Sequence, residues 1–324
     1  MNLAFAGFRH PHVVGLYNKA KVTDIVNVTG CFEENDAERE KMKKSIGCEF
    51  NYKTYADILN DPTVDAVAIA DYYGKRGKMV IDALKAGKHV ICDKPICTSL
   101  SELDEIKKLA TEKNLKVSCM LDLRYMPQTE TVKKMIENGD IGEIINVSFT
   151  GQHCLDYGNR DGWYFEKGKH GGTINDISIH GVDLVRYITG KNLTKINCSK
   201  ERNSFATEVP DFMDCGQFMV EMENISLMAD VSYASPKCNK LLPTFWDFYI
   251  WGLKGMISFR YAENVIHLYK NTEEIIECER PSSNYLLDFI TEINGEGFKW
   301  NTQFTLDSQR QVLEIQKEAS KYSE

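Results

Sequence analysis

Apolar positions in the first third of the chain come in short runs. These lie at residues 2–6, 25–32, 64–70, 89–92 and 116–120, with amphipathic stretches between them. Apolar runs too short for most helices read as buried strands, and the longer periodic stretches at 37–45, 54–59, 75–86 and 99–113 read as helices. Thr54 is placed to cap the second of these, and Ser99 with Glu102 to form a capping box on the fourth. Unbroken strand–helix alternation to about residue 122 predicts a doubly wound parallel sheet. A helical stretch follows over 121–138, then a strand from 143. From about 193 the rhythm changes. Strands at 195–202, 216–221, 225–231, 246–251, 255–260, 265–269 and 274–278 follow one another across short turns. That pattern predicts an open, mainly antiparallel sheet with one face covered by helices. Two helices, 284–294 and 305–322, close the chain. The expected fold is a Rossmann-type α/β domain over 1–122 and an α+β domain over 123–324.

A length of 324 residues agrees with two domains. The net charge is −8 and no block of basic residues stands out, which disfavours nucleic acid as a partner. No stretch approaches the ~20 apolar residues of a membrane span, and the start, MNLAFAG, lacks a signal pattern. Ten cysteines without a CxxC pair read as reduced thiols in a cytoplasmic protein. No set of residues is spaced as a metal site.

Candidate chemistry concentrates in three places. In residues 86–95, AGKHVICDKP, Lys94 stands just past a predicted strand, on a turn stiffened by Pro95. Ligands of open parallel sheets bind outside those strand ends. In residues 7–12, GFRHPH, a strand passes through glycine into a helix start, as a pyrophosphate site requires. Gly7 fills the first position of G-x-G-x-x-G, but Arg9 and His12 stand at the second and third. Arg9 can replace the lost backbone approach with a charge-assisted contact to phosphate. Glu33, 26 residues beyond Gly7, is placed to accept ribose hydroxyls and to favour NAD over NADP. In residues 170–190, HGGTINDISIHGVDLVRYITG, positions 176, 180 and 183 share one face of a regular helix. A carboxylate one turn from a histidine can orient the ring and support proton transfer near neutral pH.

These residues resemble the Gfo/Idh/MocA family, the glucose–fructose oxidoreductase and inositol dehydrogenase type. The likeness rests on Val64-Asp65-Ala66-Val67, Ala83 to Val90, Asp93-Lys94-Pro95, Arg124-Tyr125-Met126-Pro127, and Gly171-Gly172 with Asp176 and His180. The family usually has Glu where Asp93 stands, and a proline and histidine where this chain has Asp71 to Gly74. The resemblance implies hydride transfer between a nicotinamide and a secondary alcohol or ketone of a sugar, cyclitol or polyol. Lys94, Asp176 and His180 would be catalytic. Gly7, Phe8, Arg9, His10, His12, Glu33, Ala70, Asp71, Tyr73, Asp93, Lys94, Pro95 and Trp163 would hold the cofactor. Arg124, Tyr125, His153, Asp176 and His180 would meet substrate. It also implies a homodimer or homotetramer joined through the second sheet. Transient oxidation with cofactor recycling, a non-catalytic sugar- or NAD-responsive regulator, and a protein that binds no dinucleotide remain open alternatives.

Overall fold

The computed structural model describes residues 1–237 and 242–322. The chain forms two compact units, and neither is one continuous segment.

The first unit comprises Met1–Leu121, Gly168–Gly171 and Asn284–Gln309. Its elements are β1 (Asn2–Ala6), α1 (His12–Lys21), β2 (Asn27–Phe32), α2 (Asp36–Ile46), α3 (Tyr55–Asn60), β3 (Ala66–Ile69), α4 (Tyr73–Lys85), β4 (His89–Cys92), α5 (Leu100–Glu112) and β5 (Val117–Cys119). The five strands make one parallel sheet in the order β2-β1-β3-β4-β5. Every residue of β3 is buried, which is why it reads as an apolar run rather than an alternation. The chain moves outward from β1 to β2 and then returns to pair β3 on the other side of β1. The carboxyl ends of β1 and β3 therefore flank a topological switch point. Thr54 and Asp57 form a reciprocal capping box, and Ser99 caps the Glu102 N–H. Helix α1, by contrast, has no side-chain cap and no acid in its first turn.

The second unit comprises Asp122–Lys167, Gly172–Ser283 and the chain from Arg310. Pro127 opens α6 (Pro127–Glu137), and Met126 before it is extended. The expected helix over 121–138 is therefore broken into a 3-10 turn, Asp122–Tyr125, and α6, because a residue preceding proline is driven out of helical geometry. Then come β6 (Ile144–Gln152), α7 (Ile179–Thr189), β7 (Leu193–Arg202), β8 (Cys215–Met222), β9 (Ile225–Ser232), β10 (Asp247–Gly252), β11 (Gly255–Arg260), β12 (Val265–Tyr269) and β13 (Glu273–Glu277). They form an eight-stranded sheet in the order β13-β12-β11-β10-β6-β9-β8-β7. Neighbours are antiparallel except β6 and β9. The inner face carries Phe149, Phe218, Phe248 and Phe259, all buried under α7 and its neighbours. A Cβ on Gly181 of α7 would lie 2.3 Å from the Phe149 ring, so glycine is what lets the helix seat on the sheet. Along β8 and β9 the outward positions alternate with the core, leaving Met219 and Met228 exposed.

A single cut at 122/123 does not describe this partition. Helix α8 (Tyr285–Ile293) and the start of α9 (Thr302–Ala319) belong with the first sheet. Thr302 Oγ1 accepts the Val117 N–H at 2.9 Å, and Gln309 Oε1 accepts the Ile96 N–H at 2.8 Å. Polar groups at the sheet's edge thus find their partners some 200 residues away.

Candidate active site and cofactor turn

In the first unit, two buried carboxylates organise the turn after β1. Gly7 has φ +85°, and a Cβ there would lie 2.6 Å from the Asp71 nitrogen, so only glycine fits against the end of β3. Phe8 turns inward to Phe5 and Phe50 and is a core residue, not a ligand contact. The Arg9 N–H binds the Ala70 carbonyl at 2.9 Å, tying the turn to β3. Glu33 accepts the Phe8 N–H at 2.8 Å, the Asn35 N–H at 2.8 Å and Arg9 Nε at 3.0 Å. Burial raises its pKa, opposed by those N–H groups and by Arg9. Its expected role as a ribose acceptor does not fit this placement, because both oxygens already serve the turn.

Asp93 is the second carboxylate. It meets His10 Nδ1 at 2.7 Å, His12 Nδ1 at 3.0 Å and Arg76 at 3.2 Å, and accepts the Lys94 N–H at 2.7 Å. Burial works against its ionisation, but the neighbouring His10, Arg76 and His12 outweigh it and hold the carboxyl well below the usual range. Arg76 is charged throughout, so it sustains that direction whatever His10 carries. Burial lowers His10 to about 3, against the pull of Asp93. Arg76 was invisible in the sequence: a buried arginine in an amphipathic helix carries no local mark. It also binds the carbonyls of Asp71 and Lys94. Lys94 itself is 5% exposed, precedes a cis bond to Pro95, and has its ammonium 5.7 Å from the Tyr73 ring. His10 and His170 lie against the same ring. Asp71 is buried and paired with Lys75 at 2.8 Å.

His10, His12 and Asp93 place three possible metal-ligand atoms within 4.8 Å of one another. Their contacts have hydrogen-bond lengths, Arg76 already sets a cation against the one carboxylate, and the charge of Lys94 acts on His10. A divalent ion would add charge of the wrong sign, so we read the cluster as a hydrogen-bond network.

In the second unit, Asp176 lies on a π-helical turn, Ile174–Ser178, that runs into α7. The expected single face for positions 176, 180 and 183 therefore fails at its first member, because a π turn rotates less per residue than an α turn. His180 and Asp183 keep α-helical spacing. Asp176 accepts a hydrogen bond from the Tyr233 hydroxyl. The His180 ring stands edge-on to Trp246, with centroids 5.8 Å apart. His153, just past β6, packs 5.6 Å from the same indole and 4.8 Å from Phe245. A Cβ on Gly151 would meet the Trp246 ring at 2.8 Å, so this strand is glycine where the indole crosses it. Tyr233 and Trp246 were not singled out in the sequence. Tyr233 follows one predicted strand and Trp246 opens another, and both look like ordinary core aromatics. Arg124 makes a buried two-pronged pair with Asp183, at 2.7 and 2.6 Å, which is a structural use and not a substrate contact. Tyr125 ends the 3-10 turn, half-buried. Trp163 is buried against Tyr164, centroids 4.2 Å apart.

Family comparison agrees with this layout. The model described as "Oxidoreductase family, NAD-binding Rossmann fold" (GFO_IDH_MocA) matches residues 5–121, and the GFO/IDH/MocA C-terminal domain matches 129–258. The chain belongs to the GFO/IDH/MocA oxidoreductase family. Myo-inositol 2-dehydrogenase of Thermotoga maritima is 29% identical over 160 residues, 48% of this chain and 45% of that protein. Levoglucosan dehydrogenase of Pseudarthrobacter phenanthrenivorans is 30% identical over 164 residues, 49% of this chain and 42% of that one. The matched stretch spans less than half the length of either relative. Glucose-6-phosphate 3-dehydrogenase of Bacillus subtilis is 24% identical over 86% of this chain and 78% of its own. A levoglucosan dehydrogenase structure in complex with NADH superposes with a TM-score of 0.83 at 20% identity, covering 100% and 98% of the two chains. An NAD-binding protein from Listeria innocua gives 0.79 at 22%, covering 97% and 92%.

The first unit of this GFO/IDH/MocA protein fits a dinucleotide at two points. Gly7 keeps the close turn, and α1 presents an N-terminus with no side-chain cap and no acid in its own first turn. Among the described residues, no helix is long and apolar enough to cross a membrane.

Proposed function

We propose that this protein is a nicotinamide-dependent dehydrogenase or reductase acting on a secondary alcohol or ketone of a sugar, cyclitol or related polyol. The observation that carries the reading is the presence of Lys94 after β4 together with Asp176 on the π turn and His180 at the start of α7, in a chain of this family. The names of its relatives, which cite inositol, levoglucosan and glucose 6-phosphate, support the substrate class.

Gly7, the first turn of α1, Arg9 and His12 would hold the cofactor. When bound, it supplies the hydride donor or acceptor. The protein's own work is at the oxygen. Lys94, its position fixed by Asp93, Arg76 and Pro95, donates a hydrogen bond to the reacting oxygen and stabilises negative charge on it. His180 takes the hydroxyl proton in oxidation and returns it in reduction. Its Nδ1 is buried, so we assign the exchange to Nε2. Asp176, steadied by Tyr233, orients the substrate or the His180 ring. We further propose that the protein is cytoplasmic, in keeping with its free thiols. We also propose that it forms a homodimer or homotetramer through the sheet face bearing Met219 and Met228.

The test is a spectrophotometric screen for reduced nicotinamide with sugars, inositols and their keto forms, using NAD and NADP. Net accumulation of the reduced cofactor separates simple oxidation from cofactor recycling. In an active pair, His180→Ala is expected to lower kcat by about 10²–10⁴-fold. Full turnover in both Lys94→Ala and His180→Ala would remove the assigned roles. Light scattering at micromolar concentration tests association.

A further inference from the structure

The adenosine end of the cofactor turn has an unexpected chemistry. In dinucleotide folds the acid after the second strand reads the ribose 2′-hydroxyl and repels a 2′-phosphate. It can do so only if its oxygens face the ligand. Here the Glu33 side chain has no exposed surface, and both of its oxygens accept hydrogen bonds from within the chain. Arg9 lies over it, paired through Nε at 3.0 Å, with 17% of its own side chain exposed. A ligand reaching this corner therefore meets a guanidinium first. The neighbouring acids are paired with cations: the half-exposed Glu34 and the buried Asp71 with Lys75, and the exposed Asp36 with Arg39. Arg39 also donates to the Glu33 carbonyl at 2.7 Å, which holds a second guanidinium beside the same turn.

Building on the proposed function, we infer that this site accepts NADP(H) as well as NAD(H), with Arg9 reading the 2′-phosphate and Glu33 serving as an internal staple. A planar guanidinium matches a phosphate with paired N–H donors, and Nε alone is spent on Glu33. The loss of the second glycine from the G-x-G-x-x-G pattern then has a chemical counterpart. The position that elsewhere lets backbone approach the pyrophosphate supplies a side-chain cation for the other end of the nucleotide.

The inference is tested by titrating the full-length protein with NADH and with NADPH, following nicotinamide fluorescence without substrate. Dissociation constants within tenfold of each other support it; NADPH binding more than tenfold weaker overturns it. Arg9→Ala is expected to weaken NADPH at least tenfold more than NADH, with Arg9→Lys keeping part of the preference. An equal loss of both in Arg9→Ala would overturn the role of Arg9. Circular dichroism on each variant shows whether the turn still folds. Binding of neither coenzyme to the unmodified protein overturns both this inference and the proposed function, whereas binding of NADH alone overturns only the inference.

Discussion

The two units hold their titratable side chains in opposite ways. In the first, Asp93 is surrounded by two imidazoles, a guanidinium and a backbone N–H. In the second, Asp176 meets a phenol and His180 meets an indole edge. A carboxylate wrapped in cationic and N–H donors stays ionised over the working pH range, and its neighbours stay in place. The second unit sets a carboxylate and an imidazole beside aromatic rings, which fix their positions by packing and, at Asp176, by the Tyr233 hydroxyl.

The comparison can be broken most sharply at Asp93. Asp93→Ala leaves the fully buried Arg76 without its carboxylate and is expected to cost about 3–5 kcal/mol in urea unfolding. A loss below about 1 kcal/mol would mean that the network is not what holds the turn. The next effect is pH dependence. His10 is lowered to about 3 in the folded chain from 6.5, so between those values the unfolded chain binds a proton that the folded one does not. Stability is thus complete above about pH 6.5 and declines as the pH falls toward 3. The Asp93 contribution is present above 3.8 and is lost only below it. His10→Gln should flatten the thermal melting profile between pH 4 and 6.5; an unchanged slope would show that other groups set it.

In the aromatic half, Tyr233→Phe removes the donor to Asp176. We expect a stability loss of about 1–3 kcal/mol, the range for hydrogen bonds to charged groups and unsatisfied buried acceptors. The smallest effect is expected outside both regions. Lys191→Ala breaks an exposed pair with Glu223 and should leave Tm and turnover unresolved from the parent.

The strands and most helices were legible because each follows one hydrophobic period from end to end. The 89–92 run and the 195–278 series needed no tertiary information beyond burial of one face or both. What the sequence concealed were choices made between segments distant in the chain. Glu33 reads as a ligand acid, yet its rotamer is set by Phe8 and Arg9 on another loop. Arg124 resembles a substrate contact until Asp183 is seen to occupy both prongs. The π turn at Asp176 sits inside a pattern that is helical in composition, and one extra residue in a turn leaves no trace in apolar spacing. Lys94, Asp176 and His180 were legible as types and positions, whereas Arg76, Tyr233 and Trp246, which hold or flank them, were not.

The first unit's discontinuity bears on how the chain is made. A nascent chain that has reached residue 121 has all five parallel strands, but not the Thr302 and Gln309 side chains that satisfy Val117 and Ile96. Synthesis runs at about 5–20 residues per second, so the sheet waits some ten to forty seconds for its last polar partners. The earliest domain to emerge is among the last to be finished, and a fragment cut at the apparent boundary would carry an edge that it was never built to expose.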